Sequence, residues 1–221
     1  MMPLTEDTPK PLLKVAGKPL LQYTIEALVA AGITELVINH AYLGSQIEAF
    51  VGDGHWLGAT VQYSKENNAL ETGGGILQAL PLLGDQPFLI VNSDVWTDFP
   101  YQQLQKFQLS GLAHLIMVDN PEQHPGGDFF LRNAKPESPQ YVALISSKQV
   151  SGQQLTYSGI AIIDPKLFSG CHSAIFRLRD PLVQHMDTHQ VTGEYYGGQW
   201  LDIGTPERLT RLNTEHTEID S

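Results

Sequence analysis

Three apolar runs that each end in polar residues constrain the fold more than any other feature of the chain: ELVINH (35–40), TVQYSK (60–65) and PFLIVNSD (87–94). Segments of helical periodicity lie between them. From Lys18 to Ala31 the apolar residues Leu20, Leu21, Ile25, Leu28 and Val29 fall on one helical stripe, with Gly32 as a natural stop, and LGSQIEAFVG (43–52) reads as a second helix. Strands alternating with helices predict an α/β fold built on a doubly wound, mostly parallel sheet with helices on both faces. Ligands of such sheets gather beyond the carboxyl ends of the strands. That rule singles out Asn39 and His40, Lys65 and Glu66, and Asn92 and Asp94.

After Asp98 the pattern changes. AHLIMVDN (113–120) reads as one more core strand, and GGDFFLR, YVALI and QLTYSGIAIID read as shorter strands around the polar segment Asn133 to Gln140. A helix is expected around Ala174 to His185, then a strand pair in VTGEYYGGQWLDIG and a closing helix, TPERLTRLNTEH, capped by Thr205. This half is expected to form a smaller mixed β subdomain that serves as a substrate wall. No internal repeat or low-complexity linker divides the chain, so residues 1–221 are expected to form one domain with parts at about 1–112 and 113–221.

A formal net charge of -11 argues against a nucleic-acid partner, because phosphate backbones are met by basic faces. An acidic chain can still hold a phosphorylated small molecule where a few lysines and a metal ion share one cleft. Cys171 is the single cysteine, which excludes an intramolecular disulfide and a multi-cysteine zinc site. No apolar run reaches the length of a membrane span and the first residues lack signal-peptide character, so a cytoplasmic protein without membrane contact is expected.

Several residues carry chemistry. Lys10 stands between Pro9 and Pro11, which restrict the backbone on both sides and fix where the ammonium points. It is either a solvated surface lysine or a phosphate-gripping one. ETGGG (71–75) follows a strand and is expected as a turn opening a helix, where bare amides can approach a ligand, although glycines at a helix start are often only a turn. Asp94 follows an apolar strand directly, where a carboxylate can hold magnesium or merely cap a turn. Asp202, between Leu201 and Ile203, must be paired or metal-bound if buried. Two such carboxylates on one divalent cation would brace a phosphoryl or nucleotidyl transfer. Ser158 and Gly159 interrupt a core strand, which marks either a ligand's approach or a bulge. Asn120, Asp128 and Glu194 are polar residues beside apolar strands and fit contacts to sugar hydroxyls.

In this order the motifs resemble the sugar-1-phosphate nucleotidyltransferase family, and the resemblance covers essentially the whole chain. PLTEDTPKPLLKVAGKPLLQYTIEAL resembles the second half of that family's N-terminal signature, and ETGGG, VNSDVWTD, TYSGI and WLDIGTPERL follow in the family's order. INHAYLG, LETGGGI, VNSDVWTD and VDNP together are most similar to the branch that uridylylates N-acetylmuramate 1-phosphate in bacterial cell-wall recycling. The resemblance implies a Rossmann-like sheet, UTP and a sugar 1-phosphate as partners, and Mg2+ as cofactor. It assigns Lys10 to the nucleotide phosphates, Glu71, Gly73 and Gly74 to the uracil, and Asn92 to the nucleoside or sugar. Asp94 and Asp202 would hold the metal, making Lys10, Asp94 and Asp202 the catalytic set. Asn120, Asp128, Ser158, Gly159 and Glu194 would line the sugar-phosphate side.

The family begins with a strand and a glycine-rich loop ahead of the residues matched here. The expectation is therefore an N-terminally truncated form, impaired in turnover. Three rivals stay open: another sugar and base, such as glucose 1-phosphate with dTTP or mannose 1-phosphate with GTP; a non-catalytic nucleotide-sugar binder; and a truncated product that folds poorly.

Overall fold

The computed structural model describes residues 1, 4–132, 143–172 and 174–219, with side chains up to residue 214; the Asn133 to Gln140 segment lies outside these. In chain order the elements are β1 (Lys14–Val15), β2 (Lys18–Pro19), α1 (Leu20–Ala30), β3 (Glu35–His40), α2 (Gly44–Val51), β4 (Thr60–Lys65) and α3 (Glu71–Leu83). Then come β5 (Phe88–Val91), β6 (Val95–Thr97), β7 (Ala113–Val118), β8 (Phe129–Arg132), β9 (Ala143–Ser146) and β10 (Gly152–Ile163). The order closes with α4 (Arg179–Met186), β11 (Val191–Tyr195), β12 (Trp200–Asp202) and α5 (Pro206–Ile219). None of the described helices is long and apolar enough to cross a membrane.

The chain divides into two compact units that interleave: Met1–Ala69, Asn92–Lys106 and Gln199–Ser221 form the first, and Leu70–Val91 and Phe107–Gly198 the second. The parts expected on either side of residue 112 follow chain order, whereas these units exchange segments.

In the first unit, α1 buries Leu20, Leu21, Ile25 and Leu28, the stripe that the spacing predicts. The helix stops as expected: Gly32 takes a φ of +78°, its N–H donates to Val29, and the Ile33 N–H donates to Leu28. β3 and β4 pair in parallel from Glu35 opposite Thr60 to His40 opposite Lys65. Helices α1 and α2 contribute Leu21, Ile25, Ile47 and Val51 to a core shared with Leu57, Ala59 and Val61. A second cluster joins Leu13, Val15 and Leu20 to Ile203 and Leu212, so α5 packs on the first residues of the chain. Asn213 locks that contact, accepting from the Ala16 N–H at 2.9 Å and donating to the Lys14 carbonyl at 3.1 Å.

The second unit is a six-stranded sheet in the order β5-β10-β7-β11-β9-β8, with a further pairing of β10 to β8. Leu115, Met117, Leu131, Ile145, Leu155 and Ile163 fill its core against Leu182 and Met186 of α4. Fully burying each such side chain contributes about 1.5–3 kcal/mol.

Helices and strands alternate early in the chain as predicted, but a mostly parallel sheet is not what they form. Among the described strands only β3–β4 and β7–β11 pair in parallel. β5 is an edge strand that runs antiparallel to β10, from Val91 opposite Ile160 to Phe88 opposite Ile163. The reason lies in β10, whose apolar run Ile160–Ile163 has β5 on one side and β7 on the other. A ladder between segments so far apart leaves no trace in local periodicity.

Candidate active site

Lys10 begins a 3-10 turn, Lys10–Leu12, entered from Pro9 in an extended conformation with φ −65° and ψ 142°. The residues before it are tied to the start of α2: Tyr42 Oη donates to the Glu6 carbonyl at 2.6 Å and Gln46 Nε2 to the Asp7 carbonyl at 2.9 Å. Held in this way, Lys10 Nζ lies 2.5 Å from Asp94 Oδ2. Both side chains keep about a third of their surface exposed, 30% and 32%, so the pair adds at most about 1 kcal/mol to folding and its importance is positional. A cavity of about 690 Å³ opens beside Lys10, lined also by Pro9, Asn39, His40 and Tyr42. His40 Nε2 lies 2.7 Å from Glu48 Oε1.

Asp94 precedes β6, which pairs antiparallel with β12 so that Val95 stands opposite Asp202. The Ile203 N–H donates to the Asp94 carbonyl at 2.9 Å, which brings the backbones of the two aspartates one rung apart. Asp202 carries its own cation: Arg208 Nη1 is 2.7 Å from Asp202 Oδ2 and also donates to its main-chain carbonyl at 3.2 Å. The Arg208 N–H lies 3.4 Å from Thr205 Oγ1, the expected cap of α5. Sequence reasoning missed Arg208; its place one helical turn beyond the Thr205 cap, behind Asp202, was the available signal. Asn92, at the end of β5, is half-buried.

Nucleotidyltransferases generally use a divalent metal. Among the described residues no group of three or more His, Cys, Asp and Glu side chains is poised to hold one. A hard cation that takes phosphate and water oxygens as most of its ligands needs only one or two carboxylates from the protein. Asp94 and Asp202 meet that requirement in donor chemistry, and Lys10 and Arg208 pair with them.

The glycine-rich stretch departs from expectation. Gly73, Gly74 and Gly75 lie within α3 rather than in a turn before it, and all three are buried. The chain's own segment 174–176 explains them. A Cβ on Gly74 would collide with the Ala174 carbonyl oxygen, and one on Gly73 would fall 2.6 Å from the Phe176 ring. The Gly74 N–H donates to the Phe176 carbonyl at 3.2 Å. Close packing therefore accounts for Gly73 and Gly74. Glu71, which is exposed, starts the helix with φ +60°, a left-handed conformation that costs a non-glycine residue about 1–2 kcal/mol and clusters at functional sites.

On the second unit the residues expected to line the sugar side lie on or beside β7, β8, β10 and β11. Asn120 Oδ1 accepts from Thr156 at 3.0 Å while its Nδ2 donates to the Gln154 carbonyl at 3.1 Å. Asp128 Oδ2 accepts the Tyr157 N–H at 2.9 Å, and Oδ1 lies 3.2 Å from His124 Nε2. The interruption at Ser158 and Gly159 is a bulge: the β10–β7 register slips between Tyr157 and Ala161, and Gly159 adopts φ +85°. Ser158 is 1% exposed, and its Oγ accepts the Ile160 N–H. Glu194 stands opposite Ile116 on β11, 8% exposed, and burial pushes its carboxyl above the ordinary range. Two neighbours were missed. Tyr195 Oη donates to Asp119 Oδ2 at 2.7 Å, and burial with that carboxylate pushes the phenol up to about 12. Arg179 Nη1 donates to the Asp128 carbonyl at 3.2 Å, with its guanidinium 4.8 Å above the Phe129 ring.

Residues 1–126 match the family described as Nucleotidyl transferase. The chain belongs to that family. It is 45% identical over 215 residues to an N-acetylmuramate alpha-1-phosphate uridylyltransferase of Neisseria meningitidis, covering 95% of this chain and 90% of that protein. It is 27% identical to a mannose-1-phosphate guanylyltransferase of Mycobacterium tuberculosis, of whose length it spans 59%. Among solved structures, a UDP-glucose pyrophosphorylase complexed with UDP-glucose superposes with a TM-score of 0.78 at 18% identity, covering 99% of this chain and 94% of that one. At that identity the likeness establishes an α/β nucleotidyltransferase fold alone.

Proposed function

We propose that this nucleotidyltransferase joins UTP and N-acetylmuramate 1-phosphate to give UDP-N-acetylmuramate and pyrophosphate, as a cytoplasmic step of peptidoglycan recycling. The observation that carries the reading is the 45% identity to the Neisseria uridylyltransferase across nearly the full length of both proteins. In this reading Lys10 grips the nucleotide phosphates, Glu71 and Asn92 attend the nucleoside, and Gly73 and Gly74 shape the wall at the uracil. Asn120, Asp128, Ser158, Gly159 and Glu194 serve the sugar phosphate.

A phosphate oxygen of the sugar 1-phosphate attacks the α-phosphorus of UTP in line. The new phosphorus–oxygen bond forms as the bond to the β-phosphate breaks, and pyrophosphate departs with that electron pair. The attacking oxygen is already anionic, so no general base is needed. Catalysis then rests on positioning and on neutralising charge as it shifts to the leaving group. Mg2+, held by Asp94 and Asp202, would supply charge neutralisation at the phosphate oxygens. Lys10 adds a point charge on a stem directed by its two prolines and by the ties from Tyr42 and Gln46.

The test is pyrophosphate release with Mg2+, UTP and N-acetylmuramate 1-phosphate, alongside dTTP with glucose 1-phosphate and GTP with mannose 1-phosphate. Preference for the first pair by a large factor in kcat/KM is expected. Preference for either other pair overturns the assignment of substrate but not of family. Binding of UDP-N-acetylmuramate with no turnover of any pair would favour a non-catalytic binder.

A further inference from the structure

N-acetylmuramate and N-acetylglucosamine differ by one group, a lactyl ether that ends in a carboxylate. A site that selects the first sugar over the second gains most from a cation near the sugar that is not already neutralised. Among the described residues of the second unit, Lys148 is paired with Asp187 and Lys166 with Asp164. Arg132 lies at the other end of β8 from Asp128. Arg177 is exposed, and its main-chain N–H rather than its guanidinium meets Asp180. Arg179 differs from all of these in its side-chain partners. It sits at the first position of α4, exposed, and is held by a main-chain carbonyl and an aromatic face, neither of which cancels its charge.

Both contacts fix the guanidinium beside Asp128 and Phe129, in the region where Asn120, Asp128 and Thr156 form their polar cluster. The Asp128 carboxylate is turned to the Tyr157 N–H and to His124, and among the described residues no carboxylate forms an ion pair with Arg179. A guanidinium anchored through one nitrogen and a ring face keeps other N–H groups for a bidentate carboxylate.

We propose that Arg179 is a specificity-determining residue that binds the lactyl carboxylate of N-acetylmuramate 1-phosphate. The proposal rests on the uridylyltransferase reading above. The geometry behind it is an exposed arginine, pre-oriented by the Asp128 carbonyl and the Phe129 ring and without a carboxylate partner among the described residues.

Arg179→Gln removes the charge and keeps a polar side chain, whereas Arg179→Lys keeps the charge and loses the fork. The ratio of kcat/KM for N-acetylmuramate 1-phosphate over N-acetylglucosamine 1-phosphate, both with UTP, is measured for wild type and both variants. Calorimetric affinities for the two UDP-sugars provide a readout that does not depend on turnover. A charge-assisted hydrogen-bonded pair predicts a fall in the ratio of about tenfold to a hundredfold in the glutamine variant, with partial recovery in the lysine variant. An equal loss on both sugars, or no change in the ratio, overturns the role of Arg179 and leaves the uridylyltransferase reading intact. A wild-type protein that neither turns over N-acetylmuramate 1-phosphate nor binds its UDP derivative defeats that reading and this one together.

Discussion

Replacing Asp94 by asparagine separates what the Lys10–Asp94 pair does for folding from what it does for turnover. The substitution keeps the volume and removes the charge. Because each side chain keeps about a third of its surface in water, Lys10 can recover most of its lost interaction by hydration. The stability loss should stay below about 1 kcal/mol, which for a chain of this size lowers Tm by about 2–4 °C. The backbone contact from the Ile203 N–H to the Asp94 carbonyl is untouched, so the β6–β12 ladder should persist. Turnover is different. Losing a preorganised charge at a reacting phosphate costs about a hundredfold to a thousandfold in kcat. Calorimetric melting and pyrophosphate release on the same preparation measure both. Turnover within about threefold of wild type, or a Tm drop beyond about 10 °C, would refute the assignment of this pair to catalysis rather than structure.

Gly74→Ala should destabilise the second unit by about 1–3 kcal/mol, since its Cβ meets the Ala174 carbonyl, whereas Gly126→Ala, with open space around it, should be near neutral in urea unfolding. His114 is wholly buried, stacked on Phe107 with its Nδ1 3.0 Å from Thr192 Oγ1, and burial lowers its pKa from 6.5 to about 4. The folded value is the depressed one, so its contribution is complete above about pH 6.5 and is lost as pH falls from there toward 4. A His114→Gln protein should show a flatter Tm profile than wild type across that window, and parallel profiles would contradict it. Tyr42→Phe and Gln46→Leu should each lower kcat/KM for UTP about threefold to tenfold by loosening the Lys10 loop. In a Lys10→Met background the same changes should do almost nothing, and additive losses would show that they act elsewhere.

The residues that were legible from sequence are those whose surroundings are local. Lys10 between two prolines, Asp94 at the end of an apolar run and the Thr205 cap each carry their context within a few positions, and the structure brings Lys10 to Asp94 and Asp94 beside Asp202. The glycines of ETGGG were misplaced because their requirement comes from residues 174–176, which no window around position 74 contains. The mostly parallel sheet failed for a related reason: strand order depends on which distant partner an apolar run meets, and β10 meets β5. Arg208 and Arg179 were overlooked because a charged residue on a helix reads as solvated surface until the strand or ring opposite it is known.

The interleaving of the two units carries a consequence for biosynthesis. The second unit is encoded by residues 70–91 and 107–198, so it is synthesised ahead of β12 and α5. The first unit waits for those later elements, since Leu13, Val15 and Leu20 have Ile203 and Leu212 as their core partners. Until those segments are made, Leu13, Val15 and Leu20 lack these core partners and offer apolar surface that a holdase chaperone would meet. Asp94 gains Asp202 as its neighbour only once β12 has been made and paired with β6, so this part of the first unit depends on segments far apart in the chain.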